Sequence, residues 1–181
     1  MYVAIILGLV LLQFIALFVF GQPLICECGT VKLWSGDIFS SDNSQHLFDW
    51  YTFSHILHGL LFYIFFRYLF TKWSFVQIVT AALVLEVAWE ILENTPWVIN
   101  HYRESALAAG YVGDSIINSL SDTFAMLVGC VVAYKRKWWH LVAIFLVFEI
   151  TTAYIVRDNL TLNIINLTFP SERIQVWQLE K

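Results

Sequence analysis

The sequence predicts an all-α membrane protein, a polytopic bundle of about five transmembrane helices. Three observations predict this fold class. Apolar residues make up 59% of the 181 residues and charged residues only 13%, whereas about a quarter of the residues in an ordinary soluble domain are charged. Five separate stretches are apolar enough and long enough to cross the hydrocarbon core. Aromatic residues that favour the headgroup level stand at the ends of these stretches: Trp50, Tyr51, Trp73, Trp97, Trp138 and Trp139.

The first apolar stretch covers residues 2–20 and contains no charged residue and one polar side chain, Gln13. We interpret it as a retained spanning helix rather than a cleaved signal peptide. No Lys or Arg precedes the stretch, and a small-residue cleavage site of the kind that ends a signal peptide is missing.

The other spans follow at intervals that leave two long loops and a tail. They are predicted at about residues 51–70, 75–95, 113–134 and 138–156. The outer loops are then residues 21–50 and 96–112, and the outer tail is residues 157–181. No repeat or linker divides the chain, so we expect a single membrane domain over residues 1–181.

Basic residues predict the orientation of the bundle. Arg67 and Lys72 flank the second connection, and residues 135–137, all basic, fill the fourth. Because short loops rich in Lys and Arg stay in the cytoplasm, the N-terminus should be cytoplasmic and the C-terminus outside. The net charge of −4 and the absence of a long basic run exclude nucleic acid as an expected partner.

Ionisable residues are unusually frequent inside the predicted spans. Each costs about 2.5–3.5 kcal/mol on insertion scales, so each needs a partner or a water-filled cavity. They are His55, His58, Glu86, Glu90, Glu93, Asp114, Asp122 and Glu149. Counting the helix rise from the outer ends puts one residue on each of four spans at about 12–14 Å depth, namely His58, Glu86, Asp122 and Glu149. The cytoplasmic halves lack Asp, Glu, Lys and His, which predicts a polar pocket that opens outward above a dry floor.

The residue types in this pocket suggest its chemistry. Within each helix the polar residues stand three, four, seven or eight positions apart, so they share a face. We predict four catalytic carboxylates: Glu86, Glu90, Asp114 and Asp122. Imidazoles beside carboxylates suit a divalent metal ion, and the predicted ligands are His55, His58, Glu86 and Asp122. The sequence does not identify the cofactor further.

Other residues are predicted to support the site. Several carboxylates in a low dielectric need compensation by protons, a cation or an arginine. The supporting residues are Ser54, Ser115 and Asn118 for orientation, and Arg103 and Arg157 for charge. The alternative is a polar network that only holds helices together, and we favour it for Glu93 and Glu149 taken singly.

Two of the three cysteines lie in the first outer loop. A bond between Cys26 and Cys28 would close a tight, strained ring, because a disulfide needs particular Cα separations and side-chain directions. The pair is instead expected to be free, metal-bound or linked between chains, and the residues leave these alternatives open. Cys130 lies inside the fourth span.

Several short runs resemble a known family. The runs are residues 25–29, 46–55, 58–59 and 86–94, and residues 113–115 together with 118–119 and Asp122. They are similar to a bacterial family of small multi-pass membrane proteins, an uncharacterised protein family with a domain of unknown function. The resemblance covers nearly the whole chain and implies a location in the inner membrane, but no activity. A looser likeness connects Asp49, His58, Glu86, Glu90, Asp114, Asn118 and Asp122 with VanZ-like membrane proteins.

The leading functional hypothesis is a membrane-embedded hydrolase or transferase. It would act on a lipid or lipid-linked substrate from the outer leaflet, by metal-assisted or carboxylate acid–base chemistry. The alternatives are a non-enzymatic ion- or proton-binding component and a structural partner of a membrane complex. Membrane lipid is the expected partner in each case, and the sequence does not indicate the oligomeric state.

Overall fold

The protein folds as a bundle of α-helices. The structure is a computed structural model that describes residues 1–103 and 110–180. Its helices are α1 (Tyr2–Phe20), α2 (Thr52–Leu69), α3 (Phe75–Glu93), α4 (Pro96–Arg103), α5 (Ile116–Ala133), α6 (Trp138–Val156), α7 (Leu160–Thr168) and α8 (Glu172–Leu179). Within the described ranges the only β-pairing is an isolated bridge between Trp34 and Phe48. The predicted all-α class is confirmed.

Four of the described helices are long and apolar enough to cross a membrane, namely α1, α3, α5 and α6. The sequence predicted about five. The difference is α2, which has 18 residues but carries His55, His58 and Arg67, and these side chains lower its mean hydropathy. Helix α2 nevertheless packs more closely on α5 than on any other described element, so it belongs to the centre of the bundle.

Two glycines explain the close approach of α2 and α5. A Cβ atom built on Gly59 would collide with the carbonyl oxygen of Met126, and one built on Gly129 would collide with that of Ile56. Small residues let two helix backbones come together in a membrane, where van der Waals packing drives association. Where α2 and α5 cross, His55 of α2 lies beside Asp122 of α5.

One half of the bundle is apolar. Its buried cluster joins α2, α3, α5 and the start of α6, and consists of Leu60, Tyr63, Ile78, Ala82, Leu83, Val87, Met126, Cys130, Ala133 and Leu141. This half ends at the two turns that carry the basic residues. The opposite end, which we call the loop face, is covered by residues 21–51, by α4 and by residues 157–180 of the tail.

The tail contains helices that the sequence did not predict. Helix α7 begins where the carboxylate of Glu149, two turns before the end of α6, accepts hydrogen bonds from the backbone N–H groups of Leu160 (3.0 Å) and Thr161 (3.2 Å). A negative charge at a helix N-terminus satisfies free N–H groups and complements the helix dipole. Glu149 therefore holds the tail against the bundle.

Cys26 and Cys28, the two cysteines of the outer loop, form a disulfide. The sequence argument disfavoured this bond. The backbone turn, closed by a 2.9 Å hydrogen bond from Gly29 N–H to the carbonyl of Cys26, sets their Cα atoms 5.1 Å apart. That separation lies within the range that disulfides use. Cys130 is free and buried.

Candidate active site

Glu86 lies at the centre of the polar cluster and is fully buried. Its Oε1 is 2.7 Å from Nδ1 of His55, and its Oε2 is 3.0 Å from Nδ1 of His58. A carboxylate accepts hydrogen bonds, so the ring proton of each imidazole sits on Nδ1. One carboxylate on α3 thus fixes the tautomer of two histidines, one helical turn apart on α2, and leaves each Nε2 as an acceptor or ligand atom.

Glu90 extends this network toward α5 and α1. Its Oε1 lies 3.2 Å from Nδ1 of His55, and its Oε2 accepts a 2.6 Å hydrogen bond from the hydroxyl of Ser119. The amide of Gln13 donates to that hydroxyl at 2.7 Å and accepts from Thr123 at 2.9 Å. The only polar side chain of α1 is therefore bound into the same network as the candidate site.

Asp122 stands on the other side of His55. Its Oδ2 lies 4.0 Å from Nε2 of His55, and its Oδ1 accepts a 3.3 Å hydrogen bond from the hydroxyl of Thr52. Asp49 connects the start of α2 to the loop by accepting from the N–H groups of Tyr51 at 2.8 Å and Ser44 at 3.2 Å. The imidazole of His55 is thus held by glutamates at Nδ1 and faces an aspartate at Nε2.

A cavity of about 180 Å³ opens above His55 on the loop face. Its acidic and imidazole lining is His55, Glu93, Asp114, Asp122 and Asp158. Tyrosines, asparagines and loop residues complete the wall, and no Lys or Arg is among the described lining residues. Glu86 and Glu90 lie beneath the cavity. The predicted pocket therefore has two layers, an accessible acidic cavity and a buried glutamate pair that holds the histidine.

Asp114 lies just before α5 and is bound by an amide and a phenol. Its Oδ2 accepts from Nδ2 of Asn94 at 2.7 Å, and its Oδ1 accepts from the hydroxyl of Tyr111 at 2.9 Å. Its own backbone N–H donates to Oδ1 of Asn94 at 2.8 Å. Burial raises the pKa of Asp114 to about 6, although these two donors lower it.

His58 and the two arginines lie away from the cavity. The ring of His58 packs against Phe62 and Trp89 on the far side of Glu86. Arg103 donates to the carbonyl of Tyr111 at 2.6 Å, and Arg157 donates to that of Trp177 at 2.5 Å. Within the described ranges neither guanidinium forms an ion pair with a site carboxylate. Among the described residues, the acidic cavity therefore has no basic side chain to balance its charge.

Groups of donor atoms that suit a metal occur at this site. One atom each from His55, His58 and Glu86 lie within 4.8 Å of one another, and the same holds for His55, Glu90 and Glu93. His55 belongs to both groups and also lines the cavity. It is the residue that joins the buried layer to the accessible one.

Comparison with known proteins gives the family. The family profile described as "Protein of unknown function (DUF2585)" matches residues 17–180. The chain belongs to the DUF2585 family.

Relatives in this family are similar over most of their length. The UPF0314 protein of Sphingopyxis alaskensis is 47% identical over 87% of this chain and 84% of its own length. UPF0314 protein Atu8092 of Agrobacterium fabrum is 47% identical over 94% and 86%, and UPF0314 protein R03235 of Rhizobium meliloti is 47% identical over 95% and 87%. No solved structure matches the chain. The expected family is confirmed, and its name assigns no activity.

The supporting polar residues of this DUF2585 chain lie between the loop and α5. The hydroxyl of Ser115 donates to the carbonyl of Gln45 at 3.0 Å, and the amide of Asn118 donates to that of His46 at 2.8 Å. Ser54 is half-buried beside His55 on α2. Ser115 and Asn118 therefore fix the loop that roofs the cavity.

Sequence reasoning on this DUF2585 chain missed two residues of this polar network. They are Gln13, which donates to Ser119, and Asn94, which donates to Asp114. A signal existed for Gln13, because a single polar side chain in an otherwise apolar span requires a partner. No comparable signal marked Asn94, which lies at the end of α3 and reaches Asp114 only through the fold.

Proposed function

We propose that the chain is a multi-pass protein of the bacterial inner membrane that binds a divalent metal ion in the acidic cavity. It uses this site to hydrolyse or transfer a lipid or lipid-linked substrate from the outer leaflet. The observation that carries the proposal is the setting of His55. Glutamates hold its Nδ1, which directs Nε2 toward Asp122 and the cavity.

The charge of the cavity supports a cation. Its lining includes four carboxyl groups, one imidazole and no basic side chain among the described residues. A divalent ion bound by His55 and Asp122, whose Nε2 and Oδ2 lie 4.0 Å apart, offsets this charge and offers a Lewis acid to the substrate. Glu86 is fully buried with both oxygens at imidazole nitrogens, so its role is to position the rings.

The surface around the cavity supports a lipid substrate. Phe39 lines the cavity and is 53% exposed. Large apolar side chains of the same loop are also exposed: Leu24, Ile25, Val31, Leu33 and Trp34. An apolar loop that reaches the wall of a polar cavity at Phe39 suits a molecule with an acyl chain and a polar head. It also suits contact of the loop with the membrane interface.

Metal content and complementation test the proposal together. The full chain purified in detergent with its Cys26–Cys28 disulfide intact should contain about one metal ion bound by imidazole and carboxylates. His55→Ala and Asp122→Asn should lose it, while His140→Ala, at the opposite end of the bundle, should keep it. In cells that lack the protein, lipid profiles should be restored by the wild type and His140→Ala but not by the two site variants.

Two results would refute the proposal. One is a wild-type chain that binds no divalent metal in the cavity at neutral pH. The other is full restoration of the lipid profile by His55→Ala. Metal binding without any change in lipids would instead favour the non-enzymatic ion-binding alternative.

A further inference from the structure

We propose that the outer loop holds a second metal site, which binds a zinc-type ion when its two cysteines are reduced. The ligands are Cys26, Cys28, Asp42 and His46. Two thiolates, one imidazole and one carboxylate form the kind of four-ligand set that binds zinc tetrahedrally. This site lies in the loop, and it does not depend on the function proposed for the cavity.

The four ligand atoms already face one another. One atom from each residue lies within 4.8 Å of the others, Sγ of Cys26 is 3.9 Å from Oδ1 of Asp42, and Nε2 of His46 is 3.5 Å from Oδ2. The side chain of His46 is 0% exposed, and its Nε2 is buried without a hydrogen-bond partner. The contact between this buried imidazole and the Asp42 carboxylate is too long for a strong hydrogen bond, and a metal ion between them, with the two sulfurs as further ligands, satisfies both groups.

The surroundings of the sulfurs stabilise thiolates. The backbone N–H of Cys28 lies 3.2 Å from Sγ of Cys26 and donates to it. The hydroxyl of Thr30 lies 3.2 Å from Sγ of Cys28, where it is placed to donate to a thiolate. The ammonium of Lys32 binds Oδ2 of Asp42 at 2.7 Å, which leaves Oδ1 for a metal. With a divalent ion bound, the charges of two thiolates, one carboxylate and Lys32 cancel.

The loop is fixed in place and the site is open to solution. Backbone bonds join Leu47 N–H to the carbonyl of Lys32 and Phe48 N–H to that of Leu33, each at 3.2 Å. Cys26, Cys28 and Asp42 line an open cavity of about 670 Å³, which provides an entry path.

One contact must change when the metal binds. The N–H of Lys32 lies 3.3 Å from Nδ1 of His46, a long hydrogen bond. A metal on Nε2 moves the ring proton to Nδ1, so this contact opens.

The disulfide and the metal site cannot exist at the same time, because both use the same two sulfur atoms. The structure shows the oxidised form, in which each sulfur is bonded to the other. A dithiol reductant delivers two electrons and two protons to the disulfide and becomes a disulfide itself, leaving two thiols. A divalent ion then displaces both thiol protons and binds the thiolates. Metal binding by this loop therefore requires reduction.

Cobalt(II) tests the site in the full chain, because thiolate ligands give a charge-transfer absorption that histidine and carboxylate ligands do not. Cobalt added to the reduced wild-type protein in detergent should produce this absorption, and zinc should displace it. The oxidised protein should show none. Absence of the absorption after verified reduction of both cysteines would overturn the proposal, whatever metal the bundle cavity holds.

Variants identify the ligands. Cys28→Ser should remove most of the charge-transfer intensity, and His46→Ala should weaken cobalt binding at least tenfold. Cys130→Ser, which changes the buried cysteine of α5, and His55→Ala, which changes the bundle site, should leave the absorption unchanged. Unchanged cobalt affinity in His46→Ala would contradict the proposed ligand set. The wild-type measurement decides the proposal even where a variant fails to fold.

Discussion

At the scale of single residues, one carboxylate organises two histidines. The sequence argument placed Glu86 and His58 at the same depth by counting helix rise, and the structure brings them together at 3.0 Å. The sequence argument could not show which ring nitrogen contacts Glu86, because that depends on side-chain rotamers and on the rotation of α2 against α3. The ring nitrogens that Glu86 contacts decide whether Glu86 is a buried positioning group or a group that faces the cavity.

Replacing Glu86 by glutamine tests this arrangement. A glutamine has one accepting oxygen, so one of the two Nδ1–H groups faces an amide N–H in place of the acceptor that Glu86 provides. A buried polar group without a partner costs about 1–3 kcal/mol. The thermal unfolding midpoint in detergent should therefore fall by about 2–12 °C. Glu172→Gln, at an exposed position of α8, should leave the midpoint unchanged, and equal midpoints for both variants would contradict the arrangement.

Asp158 should make the docking of the tail depend on pH. Burial raises the pKa of Asp158 to about 6, although hydrogen bonds from the backbone of Asn159 and from Tyr51 oppose the increase. An unfolded aspartate ionises near pH 4, so between about pH 4 and 6 the docked form holds a proton that the undocked form has lost. By linkage, the free energy that holds the tail falls as the pH rises through this window.

Hydrogen exchange of α7 and α8 measures this effect. After correction for intrinsic exchange rates, protection should be greater at pH 5 than at pH 7. Asp158→Asn should remove most of the difference because an amide does not titrate, and Asp37→Asn, in the exposed part of the outer loop, should retain it. A wild-type chain whose corrected protection is the same at both pH values would show that Asp158 does not control docking.

At the scale of elements, the long helices could be predicted and the short ones could not. The first and fifth predicted spans have the same bounds as α1 and α6, because a long, mainly apolar run is a strong local signal. Helices of eight or nine residues are marginal in isolation, so α4, α7 and α8 depend on tertiary contacts. The start of α7 at the carboxylate of Glu149 is such a contact.

The crossing of α2 and α5 offers a test at this scale. Gly59→Ala and Gly129→Ala each place a methyl group against a backbone carbonyl of the other helix, so the helices must separate and the site must widen. Both variants should unfold at a lower temperature than the wild type. Gly8→Ala in α1 meets no atom within 4 Å and should not lower the midpoint. If all three variants behave alike, close packing at the crossing is not what stabilises the pair.

At the scale of the whole molecule, the status of α2 decides the topology. Four helices are apolar enough to cross by themselves, and four crossings put both termini on the same side. If α2 also crosses, the termini lie on opposite sides. The positive charges at residues 67–72 and 135–137 favour five crossings, with both of these turns in the cytoplasm.

Reporter fusions distinguish the two topologies. A periplasmic phosphatase fused after residue 181 should be active, and one fused within residues 135–137 should be inactive. A cytoplasmic fluorescent reporter should give the reverse pattern. An inactive phosphatase at the C-terminus, with the N-terminus shown to be cytoplasmic, would mean that α2 does not cross.

The hydrogen bond from Gln13 to Ser119 has a consequence for biosynthesis. Ser119 follows Gln13 by 106 residues, and ribosomes add about 5–20 residues per second. The side-chain amide of Gln13 therefore has no partner for about 5–20 s, until Ser119 has been synthesised. Throughout that interval it is a polar group in an apolar helix, which lipid alone cannot satisfy. The nascent α1 is thus expected to stay beside the insertion machinery, or another polar chaperoning surface, until α5 arrives.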